Sequence, residues 1–148
     1  MLKSLAFSLL LVISIVSAGW SATNPGPGPG KQNCALDKQA DQIIGQWYYP
    51  DRDSKIEFYR ANNQYFARIT DVGGSWRKDF TQIQGHLVIS GLAYRNGEWS
   101  GGTFIHPATG NQFDVALTLK DPVTLTVSIY KGLRLMHKDL TLTRSLPL

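Results

Sequence analysis

The chain has 148 residues, 43% of them hydrophobic, and a net charge of +4, which indicates one globular domain. Its single cysteine excludes an internal disulfide framework. The basic residues are scattered and are not interleaved with aromatic residues, so we expect no nucleic-acid partner.

The N-terminal segment has the features of a secretory signal peptide. Lys3 precedes an apolar run from Leu5 to Val16, and Val16-Ser-Ala18 places small residues where a signal peptidase reads them. The run is shorter than the roughly 20 apolar residues that a spanning helix requires. We therefore predict a signal peptide at residues 1–18, no membrane-spanning segment, and an exported protein that is periplasmic or secreted.

A spacer rich in proline and glycine follows at residues 19–33. Alternating Pro and Gly between Pro25 and Gly30 supports neither a helix nor a strand ladder. The spacer is either a flexible leader or a tether that holds the domain away from a surface. The folded domain is predicted at 34–148, and its Cys34 is either a small buried hydrophobe or a free thiol.

A short amphipathic helix is predicted from Ala35 to Ile44, with Leu36, Ala40, Ile43 and Ile44 on one side and Gly45 as its stop. Strand-like segments of alternating polarity then recur about every ten residues. They lie at 45–50, 55–60, 64–72, 86–94, 98–105, 111–119, 124–130 and 138–144, with the least regular part at 76–84. Short turns join them, which predicts an all-β, eight-stranded antiparallel up-and-down barrel behind a short N-terminal helix.

Two turn signals set the register around the fifth strand. Asn96-Gly97 favours a two-residue hairpin, and the loop from Pro107 to Gly110 pairs Phe104 with Phe113. This register puts alternate apolar residues on the inner face: Leu87, Ile89, Gly91, Ala93, Phe104, Phe113, Val115, Leu117, Leu119, Leu125, Val127 and Ile129. An unbroken strand leaves Trp99 outside, whereas a bulge at Gly101-Gly102 turns it into the barrel, and we favour the bulge because burying a large aromatic is worth at least ~2 kcal/mol.

An eight-stranded barrel is at the size where the interior is either filled by side chains or holds one small ligand. Both possibilities stay open on the sequence. If a ligand is bound, Arg68 and Tyr65 are candidates for contacting an acidic or polar head group near the mouth. The residues predicted to line the ligand site are Phe58, Tyr65, Arg68, Ile89, Phe104, Phe113, Leu117 and Val127.

The sequence offers little for catalysis or metal binding. His86, His106 and His137 have none of the spacings of a metal helix or finger, and His106 beside Pro107 is typical of a turn residue. We find no nucleophile elbow and no phosphate-binding glycine loop. We therefore predict no enzymatic activity, no catalytic residues, no metal and no cofactor.

The chain also resembles a known kind of barrel. Gly45-x-Trp47 after a short helix, with Arg144 closing the last strand, is similar to the signature of the lipocalin (calycin) barrels. That resemblance implies that Trp47 plugs the closed end and that Arg144 packs across it, a cation–π contact of ~1 kcal/mol.

From Ile43 to Arg144 the chain more closely resembles an uncharacterised bacterial family of exported lipocalin-like domains of unknown function. The matching residues are Gly45, Trp47, Tyr65, Arg68, Ile69, Trp99, Gly101, Gly102, Pro107, Gly110 and Arg144. The chain departs from the family pattern at Ala67 for glycine, His106 for aspartate and Phe113 for tyrosine, and it is short between Gly73 and Gly85. The resemblance implies the fold rather than an activity.

Two functional hypotheses follow from the sequence. The first is a secreted or periplasmic protein that binds a small apolar or amphipathic ligand in its barrel. The second is a packed barrel without ligand that binds a protein partner of the cell envelope through its tether and exposed aromatics such as Tyr48, Tyr49, Trp76 and Tyr94.

Overall fold

The computed structural model describes residues 29–74 and 81–145. The predicted signal peptide, most of the predicted spacer, and Trp76 lie outside these residues. The helix is α1 (Pro29–Ala40), and the strands are β1 (Gly45–Tyr49), β2 (Ser54–Ala61), β3 (Gln64–Val72), β4 (Leu87–Arg95), β5 (Glu98–Ile105), β6 (Gln112–Asp121), β7 (Thr124–Tyr130) and β8 (His137–Arg144). Short 3₁₀ turns lie at Asp41–Ile43, Pro50–Arg52 and Thr81–Ile83.

The eight strands form a closed barrel in sequence order, each antiparallel to the next. β1 closes the ring on β8, where Trp47 pairs with Arg144 and Tyr48 with Thr143. Closure leaves no free sheet edge, which removes the row of unpaired backbone groups that invites aggregation. The prediction of an eight-stranded up-and-down barrel with a short helix is confirmed, and the predicted strands match the observed ones to within a few residues.

The helix begins earlier than predicted, inside the segment assigned to the spacer. Pro29 stands at its first position, where the missing N–H costs nothing and the fixed φ suits a helix. Ala40 and Ile43 are buried, whereas Leu36 and Ile44 are exposed, so the prediction that these four share one buried side holds for only two of them. Cys34 is exposed on α1, so the prediction of a buried thiol is wrong.

The register around β5 follows the turn signals. Tyr94 pairs with Trp99 across the Asn96-Gly97 turn, and Phe104 pairs with Phe113. The β5–β6 register shifts between Trp99 and Gly102, where Gly101 has a φ of +77°. This is the bulge that the sequence suggested, and Trp99 is 1% exposed inside the barrel.

A second irregularity on β4 accompanies the first. The β3–β4 register shifts twice, once between Leu92 and Ile89, where Gly91 has a φ of +73°, and once between Ile89 and Leu87. Because β4 and β5 deviate at the same level, their mutual pairing stays regular while both strands turn over relative to their other neighbours. The inner residues of β4 are therefore Val88, Ile89 and Leu92, and the prediction that Leu87, Gly91 and Ala93 point inward is wrong.

The packed core occupies the end of the barrel that α1 covers. Its largest fully buried side chains include Trp47, Phe58, Leu92, Trp99 and Leu117. At the other end of the barrel, β1 connects to β2, β3 to β4, β5 to β6 and β7 to β8. We call the two ends the closed end and the open end.

Candidate ligand site at the open end of the barrel

Two tryptophans tie the closed end to the end of the helical segment. Trp47 Nε1 donates to the Ile43 carbonyl at 2.8 Å, and Trp99 Nε1 donates to the Ala40 carbonyl at 2.9 Å. Carbonyls at a helix C-terminus lack partners within the helix, so these indoles satisfy groups that burial would otherwise leave unpaired. The apolar rings meanwhile fill the barrel beneath the helix.

Arg144 lies across the same end. Its guanidinium carbon is 4.4 Å from the Trp47 ring centroid. Its nitrogens donate to the carbonyls of Pro122 at 3.0 Å, Ile44 at 3.3 Å and Gln42. The planar guanidinium thereby joins β8, the β6–β7 turn and the segment that enters β1, and it covers one face of the Trp47 ring.

A cavity of about 620 Å³ opens at the other end. Most of its lining side chains are apolar and come from the open-end halves of the strands. The inner wall is formed by Ile56, Ile69, Val72, Ile83, Val88, Ile89, Phe104, Phe113, Val127, Ile129, Leu140 and Leu142. The volume lies within the roughly 300–1,000 Å³ of small-molecule sites.

The cavity arises from the distribution of side-chain sizes along the barrel. The closed half holds two tryptophans, Phe58 and Tyr65, which fill the width of an eight-stranded barrel. In the open half the inner positions are mostly valine and isoleucine, which are too short to meet across the same width. The fold therefore has a filled half and a hollow half.

The rim of the cavity is basic. Arg52, Lys131 and Lys138 lie along it together with His106 and His137, and none of the described lining residues is Asp or Glu. Arg52, His106 and Lys131 come from the β1–β2, β5–β6 and β7–β8 connections, and His137 and Lys138 are the first residues of β8. Tyr49 and Tyr130 also lie on the lining, and burial beside Asp51 raises the pKa of Tyr49, which keeps that phenol neutral.

The two rim histidines have local roles in their turns. His106 accepts a hydrogen bond at Nδ1 from the Thr109 backbone N–H (3.3 Å), and the His106 backbone N–H donates to the Asn111 carbonyl at 2.8 Å. This agrees with the prediction that His106 is a turn residue. His137 Nε2 lies 3.3 Å from Asp139, whose other oxygen accepts from Ser128 Oγ at 2.6 Å.

Half of the residues predicted to line the ligand site lie on the cavity. They are Ile89, Phe104, Phe113 and Val127. The rings of Phe104 and Phe113 stand 6.4 Å apart on neighbouring strands. Alternation with period two placed these four correctly on the inner face.

The other four predicted positions do not line the cavity. Phe58, Tyr65 and Leu117 face inward but belong to the packed closed half. Arg68 points out from β3. Its Nη2 and Nε lie 2.7 and 2.8 Å from the same Glu57 oxygen, and its guanidinium lies over the Tyr59 ring. The prediction that Arg68 and Tyr65 contact a head group at the mouth is therefore wrong, since Arg68 has a partner on the outer surface and Tyr65 lies at the far end.

The sequence reasoning missed the rim residues Arg52, Lys131 and Lys138. A signal for them was present, because every odd-to-even turn of an up-and-down barrel lies at the same end. Basic residues in those turns must therefore meet around one mouth. Val88 was also missed, since only the β4 irregularity turns it inward.

The described residues show no metal site. Within 29–74 and 81–145, no three His, Cys, Asp or Glu side chains come together in an arrangement that holds a metal ion. No helix of this part of the chain is long and apolar enough to cross a membrane.

Comparison with known proteins places the chain in a family. Residues 45–144 match the family described as "Uncharacterized protein conserved in bacteria (DUF2147)". This chain belongs to that family. The match runs from the start of β1 to the end of β8, so the family domain coincides with the barrel. A search of curated proteins gave no match.

A solved structure shares the fold. Protein HP1028 from Helicobacter pylori, described as belonging to the lipocalin family, has a TM-score of 0.58 and 17% sequence identity to this chain. The similarity covers 70% of this chain and 83% of that one. At this identity the comparison supports a lipocalin-like barrel, in agreement with the resemblance that Gly45, Trp47 and Arg144 indicated.

Proposed function

We propose that this DUF2147 protein binds a small apolar or amphipathic molecule in the cavity at its open end. The observation that carries the proposal is the 620 Å³ cavity with aliphatic and aromatic walls inside a closed barrel. Apolar atoms placed there gain about 25 cal/mol for each Å² removed from water. They also give the lining side chains the packing partners that an open cavity denies them.

The basic rim supports an amphipathic ligand with a negatively charged head. Arg52, Lys131 and Lys138 lie along the mouth, and none of the described lining residues is Asp or Glu. An anionic head group at the mouth keeps its charge near water while the apolar part enters the barrel. This arrangement replaces the head-group contact that the sequence had assigned to Arg68 and Tyr65.

We propose binding without catalysis, outside the cytoplasm. The apolar inner wall suits sequestration of a molecule, since its polar neighbours are confined to the rim. The basic start and apolar run before Ala18 support export.

The packed-barrel alternative receives less support. The cavity leaves the open end of the barrel interior unfilled by side chains. Of the aromatics that the alternative invoked, Tyr94 packs on Trp99 at a ring distance of 4.7 Å, and the Tyr48 hydroxyl donates to Asp53. These contacts give Tyr94 and Tyr48 roles within the fold.

The test combines detection of a natural ligand with a cavity-blocking variant. Native mass spectrometry of the purified protein should show a bound organic molecule, and an anionic anilinonaphthalene sulfonate dye should fluoresce in the cavity of the extracted protein. Ile56→Trp with Ile129→Trp puts two large rings into the cavity from half-buried positions. We expect dye binding at least about tenfold weaker, because steric filling removes the ligand's apolar contact area.

The matched control is Val123→Trp, which adds the same ring at an exposed closed-end turn. It should bind dye as the unmodified protein does. Equal dye binding by the blocked and control variants, with no co-purifying molecule, would contradict the proposal. Circular dichroism and thermal unfolding show whether each variant keeps the barrel.

A further inference from the structure

One connection at the open end exposes an unusual amount of apolar surface. Residues 131–138, which we call the β7–β8 segment, read Lys-Gly-Leu-Arg-Leu-Met-His-Lys. Leu133, Leu135 and Met136 are 73%, 91% and 79% exposed, more than any other large hydrophobic residue that the structure describes. Three such side chains together mark a contact surface, whereas single exposed hydrophobics are ordinary.

The same segment is uniformly basic. It contains Lys131, Arg134, His137 and Lys138 and has no acidic residue. Acidic groups do face it from the barrel wall: Arg134 pairs with Glu98 at 2.5 Å, Asp114 accepts from the Gly132 N–H at 3.1 Å, and Asp139 lies beside His137. The contacts of Arg134 and Gly132 fix the segment against the outer face of the barrel, and Lys131 and Lys138 flank the apolar residues.

The segment also borders the cavity. Lys131, Met136, His137 and Lys138 belong to the lining, so both ends of the segment stand at the mouth. Arg134 reaches Glu98, the first residue of β5, so Leu133 and Leu135 on either side of it lie over the outer wall below the mouth.

We infer that the β7–β8 segment docks the protein on the surface of an anionic lipid bilayer. Leu133, Leu135 and Met136 enter the boundary between head groups and acyl chains, and the flanking lysines lie among the lipid phosphates. The combination of three exposed apolar side chains with basic residues and no acidic residue in the segment favours an anionic lipid surface, since both kinds of side chain find partners at the boundary of head groups and acyl chains. The docked segment brings Lys131 and Lys138, which lie on the cavity lining, to the lipid surface.

A reporter on the segment tests the contact directly. The full chain with Cys34→Ser and Leu135→Cys is labelled with an environment-sensitive fluorophore, and vesicles of equal phosphatidylglycerol and phosphatidylcholine are added. We expect a blue shift with these vesicles and little change with phosphatidylcholine alone. The matched control carries the label at Val123→Cys, at the closed end, and should not shift with either vesicle.

The charge contribution is measured by titrating the labelled protein with the same anionic vesicles. Lys131→Gln and Lys138→Gln should each weaken binding about fivefold at low salt, and added salt should reduce the difference. Leu133→Ser, added to the labelled chain, should weaken binding at least about tenfold, since its exposed side chain no longer enters the bilayer.

The docking proposal and the ligand proposal can be contradicted independently of each other. Ile56→Trp with Ile129→Trp blocks the cavity and should leave the blue shift at position 135 unchanged. No shift at 135, an equal shift at 123, or preferential cross-linking of the segment to an envelope protein overturns the docking. Any affinity of the apolar run Leu5–Val16 for lipid is common to all variants, so it does not account for a difference between the two labelled positions.

Discussion

At the scale of single residues, Tyr65 links the barrel to the helical segment. Its hydroxyl donates to Asp41 at 2.7 Å, and Arg60 holds the same carboxylate at 3.2 Å. Burial raises the pKa of Tyr65 above its usual value of about 10, and the neighbouring Asp41 carboxylate raises it further. The folded state thus favours the neutral phenol, so its stabilising effect is complete below pH ~10 and is lost as the pH rises through the folded-state pKa.

We therefore expect Tyr65→Phe to cost about 1–2 kcal/mol of unfolding free energy near neutral pH, through the lost hydrogen bond. The difference in unfolding free energy between the two proteins should shrink above pH ~10. There the Tyr65 phenol ionises in the unfolded state of the unmodified protein, which stabilises that state, and Tyr65→Phe has no phenol at this position. Urea unfolding at several pH values measures both quantities. Tyr59→Phe, which removes a hydroxyl on the outer face, is the control, and a constant difference at all pH values for Tyr65→Phe would contradict the expectation.

At the scale of elements, the bulge on β5 depends on two neighbouring glycines in different ways. Gly101 has a φ of +77° with open space around it, so it supplies a backbone conformation. Gly102 supplies space, because a Cβ there would stand 2.5 Å from the Ser90 carbonyl oxygen and 3.0 Å from Leu92. Replacing either by alanine therefore tests a different physical requirement.

Gly101→Ala should cost about 1–2 kcal/mol, which is the strain of a left-handed alanine. Gly102→Ala should cost about 3 kcal/mol or more, because the β4 backbone must move away and disturb the packing of Leu92 and Trp99. Chemical unfolding followed by tryptophan fluorescence measures both changes. The reverse order of the two costs would show that the close β4–β5 approach is not what holds the bulge.

At the scale of the whole molecule, the barrel has a packed half and a hollow half. The fully buried side chains gather beneath α1, whereas the open half surrounds the cavity. Local opening requires less free energy where fewer apolar contacts are lost. Backbone amides near Leu92, Trp99 and Leu117 should therefore exchange hydrogen most slowly, and those near Ser54, Leu87 and Ile105 faster.

Hydrogen exchange read by mass spectrometry or NMR tests this gradient. A bound ligand should slow exchange mainly at the open end, since it supplies the contacts that this half lacks. Uniform protection along every strand, with and without ligand, would contradict a division into two halves.

The sequence alone determined the architecture, because each of its signals is local. Alternation with period two and the Asn96-Gly97 and Pro107–Gly110 turns predicted the strands and the pairing of Phe104 with Phe113. Gly45, Trp47 and Arg144 pointed to the lipocalin-like barrel that the structural comparison supports. Gly101-Gly102 indicated the position in β5 at which a bulge could shift the register.

Only the tertiary structure decided what depends on residues distant in the chain. The irregularity at Gly91 turned Leu92 inward, a further register shift between Ile89 and Leu87 turned Leu87 outward, and Arg68 pairs with Glu57 on the outer surface. Whether the interior is filled depends on the combined volume of inward-facing side chains from all eight strands. No local sequence pattern gives that volume. The 620 Å³ cavity, its basic rim and the exposed β7–β8 segment beside it therefore became visible only when the barrel closed.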